Sequence, residues 1–125
     1  LALDNPPKLE QASVIEFQEA QKKGHLIIDI RRSEEWVETG IIQGAETITA
    51  FTKSGALHPD FQKKFFPLID DEDTPVYLYC RTGNRTGTLG NALVNQVGLR
   101  KVLHLSTGIV GWKKDGLLTV PYKSD

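Results

Sequence analysis

The sequence predicts one α/β layer domain: a mainly parallel central sheet of about five strands with helices on both faces. Three observations carry this. Short apolar runs alternate with segments of helical spacing along the chain. One run, 26–30, is too apolar on both faces for a half-exposed strand and suits a central parallel strand, and a second apolar run, 76–79, reads as a buried strand. The chain has 125 residues, enough for one core, and its 39% hydrophobic and 25% charged content is that of a globular protein.

Taken in order, residues 1–8, with Pro6 and Pro7, read as an extended arm before a domain spanning 9–120. Residues 9–12 form a short edge strand. Ser13 and Glu16 have capping-box spacing, Val14, Phe17 and Ala20 follow at helical intervals, and Gly24 suits the helix end. Residues 26–30 are a central strand. Ser33 is expected to cap a short acidic helix through Glu34, Glu35 and Trp36. Gly40 and Gly44 bracket a turn, and 46–50 are a modest strand. His58-Pro59-Asp60 opens a helix with proline at its first position, and Phe61, Phe65 and Leu68 form its inner face. Phe66 is assigned to the core with them. After a loop at 70–75 come a strand at 76–80, a helix at 86–97 and a last strand at 101–105. Ser106 and Thr107 can cap a final helix reaching Trp112. Residues 121–125 read as a loosely held tail.

The net charge of −1 gives no global footprint for nucleic acid or anionic membrane, and no apolar run approaches the roughly 18 residues of a membrane span. A single cysteine excludes an internal disulfide. The chain starts Leu-Ala-Leu-Asp-Asn-Pro-Pro and has no methionine. From this we expect processing and export, to the periplasm or beyond, with the cytoplasm as the other compartment that fits. His25, His58 and His104 are scattered and fit no metal spacing, so no metal site is expected.

The chemistry concentrates at Cys80. A strand delivers it, and Arg81-Thr82-Gly83-Asn84-Arg85 follows before a helix expected to begin near Thr86. In parallel sheets ligands bind beyond the carboxyl ends of the strands. A helix N-terminus and nearby cations favour a thiolate and attract anions. Gly83 allows the backbone to wrap so that successive N–H groups face the sulfur. Arg81 and Arg85 are fork-shaped donors suited to oxyanions, and Thr82 and Thr86 can donate hydroxyl hydrogen bonds. A cysteine that attacks or carries a group bound as an anion fits two chemistries, phosphoryl transfer and sulfur transfer. Cysteine phosphatases space their residues Cys-x5-Arg. Here the residue six beyond Cys80 is Thr86, and Arg85 comes one position early. The shorter cradle suits a sulfur atom attached to the cysteine better than a whole phosphate.

At this point the chain resembles a single-domain rhodanese, over most of 9–118. Asp29-Ile-Arg31 with Glu34-Glu-Trp36 resembles the family's Asp-x-Arg and Glu-aromatic elements. Gly40-Ile-Ile-Gln-Gly-Ala45 resembles its Gly-His-Ile-x-Gly-Ala turn, and Gly108-Ile-Val-Gly-Trp112 with Asp115-Gly116 its C-terminal Gly-Gly-x-x-x-Trp region. Ile41 stands in place of the usual histidine and Thr107 in place of the first glycine of the pair. The resemblance implies a single rhodanese-like domain and a two-step cycle. Cys80 takes the outer sulfur of a small anionic donor such as thiosulfate as a persulfide. A thiophilic acceptor, such as cyanide, a thiol or an acceptor protein, then removes it. No metal or organic cofactor is required. The basic loop favours thiosulfate over mercaptopyruvate.

Asp29 is expected to make structural hydrogen bonds. Arg31 and Arg32 are expected to pair with Asp29 or Glu35, with Arg31 the better candidate for the rim of the site. Trp36, Trp112 and His104 are read as interior, and Asp70–Asp73 as a solvated loop. A catalytically quiet binding or sulfur-relay module is the alternative function. A small cysteine phosphatase or arsenate reductase is disfavoured by the loop count.

Overall fold

The computed structural model describes residues 6–123, so most of the expected arm and the last two residues of the expected tail lie outside the described residues. The chain runs β1 (Glu10–Ala12), α1 (Val14–Lys22), β2 (Leu26–Asp29), α2 (Ser33–Thr39), β3 (Glu46–Thr47), α3 (Phe61–Phe65), β4 (Val76–Tyr79), α4 (Asn84–Ala92), β5 (Val102–Leu105) and α5 (Gly108–Lys114). A 3-10 turn, Phe66–Leu68, extends α3, and a π-helical segment, Leu93–Val97, extends α4. The five strands pair in the order β1-β5-β4-β2-β3, all parallel. The α/β fold expected from the sequence is therefore observed. The ladder of β3 is short, yet the chain stays aligned with β2: Ile48 N–H donates to Asp29 O and Ala50 N–H to Ile30 O.

Alternation along each strand divides the core in two. Ile28, Ile30, Val76, Leu78, Cys80 and Val102 meet Phe61 and Phe65 of α3 and Leu89, Leu93 and Val94 of α4 and its extension. On the opposite face Ile27, Tyr79 and Leu105 meet Phe17 of α1 and Ile109 and Trp112 of α5. There Phe17 sets ring edges against Tyr77, Tyr79 and Trp112, with centroids 5.8–6.4 Å apart. Such edge-to-face contacts suit the ring quadrupole.

Local chemistry explains the boundaries. The α1 capping box forms as expected: Ser13 Oγ accepts from Glu16 N–H, and Glu16 Oε1 accepts from Ser13 N–H. Lys23 ends the helix, and Gly24 follows at φ +77°, a conformation glycine adopts without strain. Ser33 lies inside α2, and Arg32 takes the cap position that the sequence assigned to Ser33. Its extended backbone directs its N–H to Glu35 Oε2 at 3.0 Å. Pro59 precedes α3 instead of opening it, because His58 Nδ1 accepts from Asp60 N–H and holds a turn there. Phe66 is 36% exposed, not core: one position beyond Phe65, it lies about 100° around the helix from the face that Phe61 and Phe65 share. Trp36 and Trp112 are buried as expected. At the start of the expected loose tail, Tyr122 lies against Trp36 with centroids 5.0 Å apart. Among the described residues no helix is long and apolar enough to cross a membrane.

Candidate active site

Cys80 follows the carboxyl end of β4 in the middle of the sheet and is wholly buried. Its loop turns sharply. Gly83, at φ +97°, caps α4, which begins at Asn84, two residues before the expected start at Thr86. A Cβ on Gly83 would run into the Ser106 carbonyl oxygen, so this position needs glycine for space as well as for φ. The tight turn directs the Gly83 N–H to Cys80 Sγ at 3.2 Å. Thr86 Oγ1, in the first turn of α4, lies 3.6 Å from the same sulfur. Sulfur is therefore placed at the positive end of a nine-residue helix with one amide and one hydroxyl upon it.

The loop is held from outside by the start of α5. Ile109 N–H donates to Cys80 O at 2.9 Å and Val110 N–H to Arg81 O at 3.2 Å. Gly108, at φ +64°, lets the two backbones touch. A Cβ there would overlap the Arg81 carbonyl. The glycine that persists beside Thr107 is thus the one the close approach requires.

The two loop arginines have different fates. Arg81 is exposed and forms no ion pair among the described residues. Together with Arg31, Glu35, Ile109 and Lys113 it lines a cleft of about 340 Å3 between α2 and α5. Arg85 instead forks onto Glu35, with Nη1–Oε2 at 2.8 Å and Nη2–Oε1 at 2.7 Å. Hydrogen bonding to Glu35 raises the pKa of Arg85 despite its burial. Burial pushes the Glu35 carboxyl up, but hydrogen bonds from Arg85 and the Arg32 amide, with both charges, outweigh it and hold the group at about 2. Thr82 and Asn84 are exposed.

Asp29 and Arg31 are not part of the sulfur's immediate surroundings. Alternation along β2 turns them to the face opposite Cys80, where Arg31 sits over the Tyr79 ring. Arg31 forms a buried pair with Asp29, Nη2–Oδ2 at 2.8 Å and Nε–Oδ1 at 3.0 Å. Its remaining donors reach Thr39 Oγ1 at 2.7 Å and Gly40 O at 2.8 Å. Burial opposes its charge, but the Asp29 carboxylate prevails and raises its pKa. The Arg31 expected on the rim is chiefly an internal clamp on the end of α2. Asp29 has the structural role expected of it.

Two neighbours were not assigned to the site from sequence. Glu35 lies fifty positions from Arg85, and the sequence offers it only as a neighbour of Trp36 and as a partner for Arg31 or Arg32. His104 was read as interior, which it is, but its Nδ1 lies 2.7 Å from Thr86 Oγ1. No spacing rule connects β5 to the first turn of α4. Among the described residues no cluster of His, Cys, Asp and Glu could hold a metal ion. The arrangement can stabilise a charged sulfur, or a second sulfur attached to it, through the Gly83 amide and the Thr86 hydroxyl.

The model of the Rhodanese-like domain family matches residues 13–115. An uncharacterized protein of Rickettsia prowazekii (strain Madrid E), RP600, is 28% identical over 98 residues, covering 73% of this chain and 79% of its own length. The adenylyltransferase and sulfurtransferase MOCS3 of Drosophila persimilis is 27% identical over 114 residues, 87% of this chain and 24% of its own. Among solved structures, the polysulfide-sulfur transferase homodimer of Wolinella succinogenes has a TM-score of 0.69 at 16% identity, covering 92% of this chain and 80% of that one. At that identity the likeness shows the fold.

Proposed function

Because the chain belongs to the rhodanese-like domain family, we propose that it is a sulfurtransferase that carries sulfane sulfur on Cys80. The observation that supports this most is the sulfur's position, with the Gly83 amide at 3.2 Å and the Thr86 hydroxyl at 3.6 Å in a loop opening a helix. In the first step the Cys80 thiolate attacks the outer sulfur of thiosulfate. A Cys80–sulfur bond forms, the donor's sulfur–sulfur bond breaks, and sulfite leaves with the electron pair. In the second step cyanide or a thiolate attacks the terminal sulfur, and Cys80 departs as thiolate. Atoms and electrons balance without an external oxidant or reductant.

The residues take distinct roles in this reading. Cys80 is the nucleophile. The Gly83 amide and Thr86 hydroxyl stabilise charge on the sulfur, and Arg81 meets the donor's sulfonate. Arg85 acts through Glu35, fixing the first turn of α4 against α2. Thr82 and Asn84 contribute backbone to the cradle. An acceptor protein is compatible with the open cleft beside Arg81.

The test is the covalent intermediate. Incubated with thiosulfate, the protein should gain the mass of one sulfur atom, and cyanide should remove it with formation of thiocyanate. Cys80→Ser should remain folded by circular dichroism and gain nothing. Sulfur loading that survives in Cys80→Ser, or an unloaded wild type that hydrolyses aryl phosphates, overturns the reading.

A further inference from the structure

A hydrogen-bonded line runs inward from the nucleophile: Cys80 Sγ, then Thr86 Oγ1 at 3.6 Å, then His104 Nδ1 at 2.7 Å. We propose that Thr86 and His104 form a proton relay that takes the thiol proton of Cys80 and carries it toward solvent. This rests on the reading of Cys80 as nucleophile, and it makes His104 a positioning and proton-accepting residue that acts through Thr86.

The geometry admits two states. A threonine hydroxyl has one proton and can accept two. In the thiol state Cys80 S–H donates to Thr86 Oγ1, which donates to His104 Nδ1. In the other state the S–H bond has broken with its electron pair left on sulfur. Thr86 has taken that proton while passing its own to Nδ1. Thr86 then donates to the thiolate and accepts from the imidazolium. Gly83 O, 3.2 Å from Thr86 Oγ1, is a second acceptor for the one hydroxyl proton, and the relay requires that proton to turn to the closer His104 Nδ1 at 2.7 Å. The imidazolium releases its Nε2 proton to water. His104 keeps 6% of its surface open to solvent, the side from which water takes that proton.

The surroundings favour a neutral base. Burial lowers the pKa of His104, so near neutrality the ring is free to accept. Its register neighbours, Gln11 on β1 and Leu78 on β4, are uncharged. Glu10 on β1 lies one position from Gln11 and faces the opposite side of the sheet, where it acts on Tyr77. Arg85, from the first turn of α4, is engaged by Glu35. Cys80 is the titratable group the line reaches. A relay has a clear use when the acceptor is a protonated thiol. That transfer leaves a proton on Cys80, and it must go before the next attack.

The experiment follows alkylation of Cys80 by uncharged iodoacetamide, read by mass between pH 6 and 9, in the folded protein and in Thr86→Val, Thr86→Ser and His104→Gln. Glutamine can hydrogen-bond Thr86 but cannot take the proton. Alkylation reads the thiolate present, so at pH 7 Thr86→Val and His104→Gln should react more slowly by about tenfold, the effect of losing one interaction of about 1.4 kcal/mol with the charged form. The gap should close toward pH 9 as the thiol ionises in every variant, and Thr86→Ser should track the wild type. Profiles that superimpose, or a loss that is the same at every pH, overturn the relay. A check that needs no substitution is the 15N imidazole signal of His104, whose titration should move when Cys80 is alkylated. An unmoved titration overturns the relay as well. Alkylation needs no sulfur donor. A wild type that shows the predicted profiles yet never loads sulfur would defeat the sulfurtransferase reading and leave the relay standing.

Discussion

Replacing Glu35 with glutamine tests how the nucleophile's helix is anchored. Glu35 accepts two hydrogen bonds from Arg85 and one from the Arg32 amide, and its carboxyl is held at about 2 against an ordinary 4.5. At about 1.4 kcal/mol per tenfold in proton affinity, that difference corresponds to about 3 kcal/mol of folding stability at pH 7. The side chains of the pair are 22% and 18% exposed, so solvent screening makes this an upper figure. The sign follows from the depressed carboxyl. The contribution is complete above about pH 4.5 and is lost as the pH falls toward 2, with about 2 kcal/mol gone by pH 3. Urea unfolding at pH 7, 5 and 3 reads this directly. Wild type should lose about 2 kcal/mol more than Glu35→Gln between pH 7 and 3. Stability curves that run parallel would show that the pair contributes nothing and that α4 is anchored otherwise.

Three further outcomes follow from the same structure. Asp29→Ala leaves the buried Arg31 guanidinium without its counter-charge and should cost about 3–5 kcal/mol in denaturant unfolding; a loss under about 1 kcal/mol contradicts the clamp. Gly108→Ala drives a Cβ into the Arg81 carbonyl, so thiosulfate loading should collapse while far-UV circular dichroism stays near wild type; full loading would mean the loop does not depend on that approach. Arg81→Ala should slow sulfur uptake from thiosulfate by about tenfold, the low end for a charge-assisted hydrogen bond, and leave an uncharged sulfur donor nearly unaffected; equal losses assign Arg81 to loop folding.

What the sequence disclosed follows from how local each signal is. Leu26–Asp29 and Val76–Tyr79 were legible because strands covered on both faces must be apolar throughout. Cys80 was legible because one strand end and one loop define its setting. The helix start was misplaced because Gly83 itself provides the turn, and nothing in a one-dimensional pattern distinguishes a glycine that wraps a loop from one that caps a helix. Arg85 was assigned to the donor because its partner Glu35 is remote in sequence. The Thr86–His104 contact was invisible for the same reason: it joins a helix turn to a strand that arrives eighteen residues later.

The bonds from Ile109 and Val110 to the carbonyls of Cys80 and Arg81 have a consequence for how this scaffold can diversify. In a trans peptide the C=O and the following N–H point in opposite directions. Fixing these two carbonyls toward α5 therefore turns the amides of Arg81 and Thr82 the other way. The orientation of the loop is dictated by main chain meeting main chain, and glycine at 83 and 108 is the compositional requirement. The side chains at 81, 82 and 84 stand outside that arrangement and are exposed. Selectivity for one donor or another can drift at those three positions while the geometry around the sulfur is inherited unchanged.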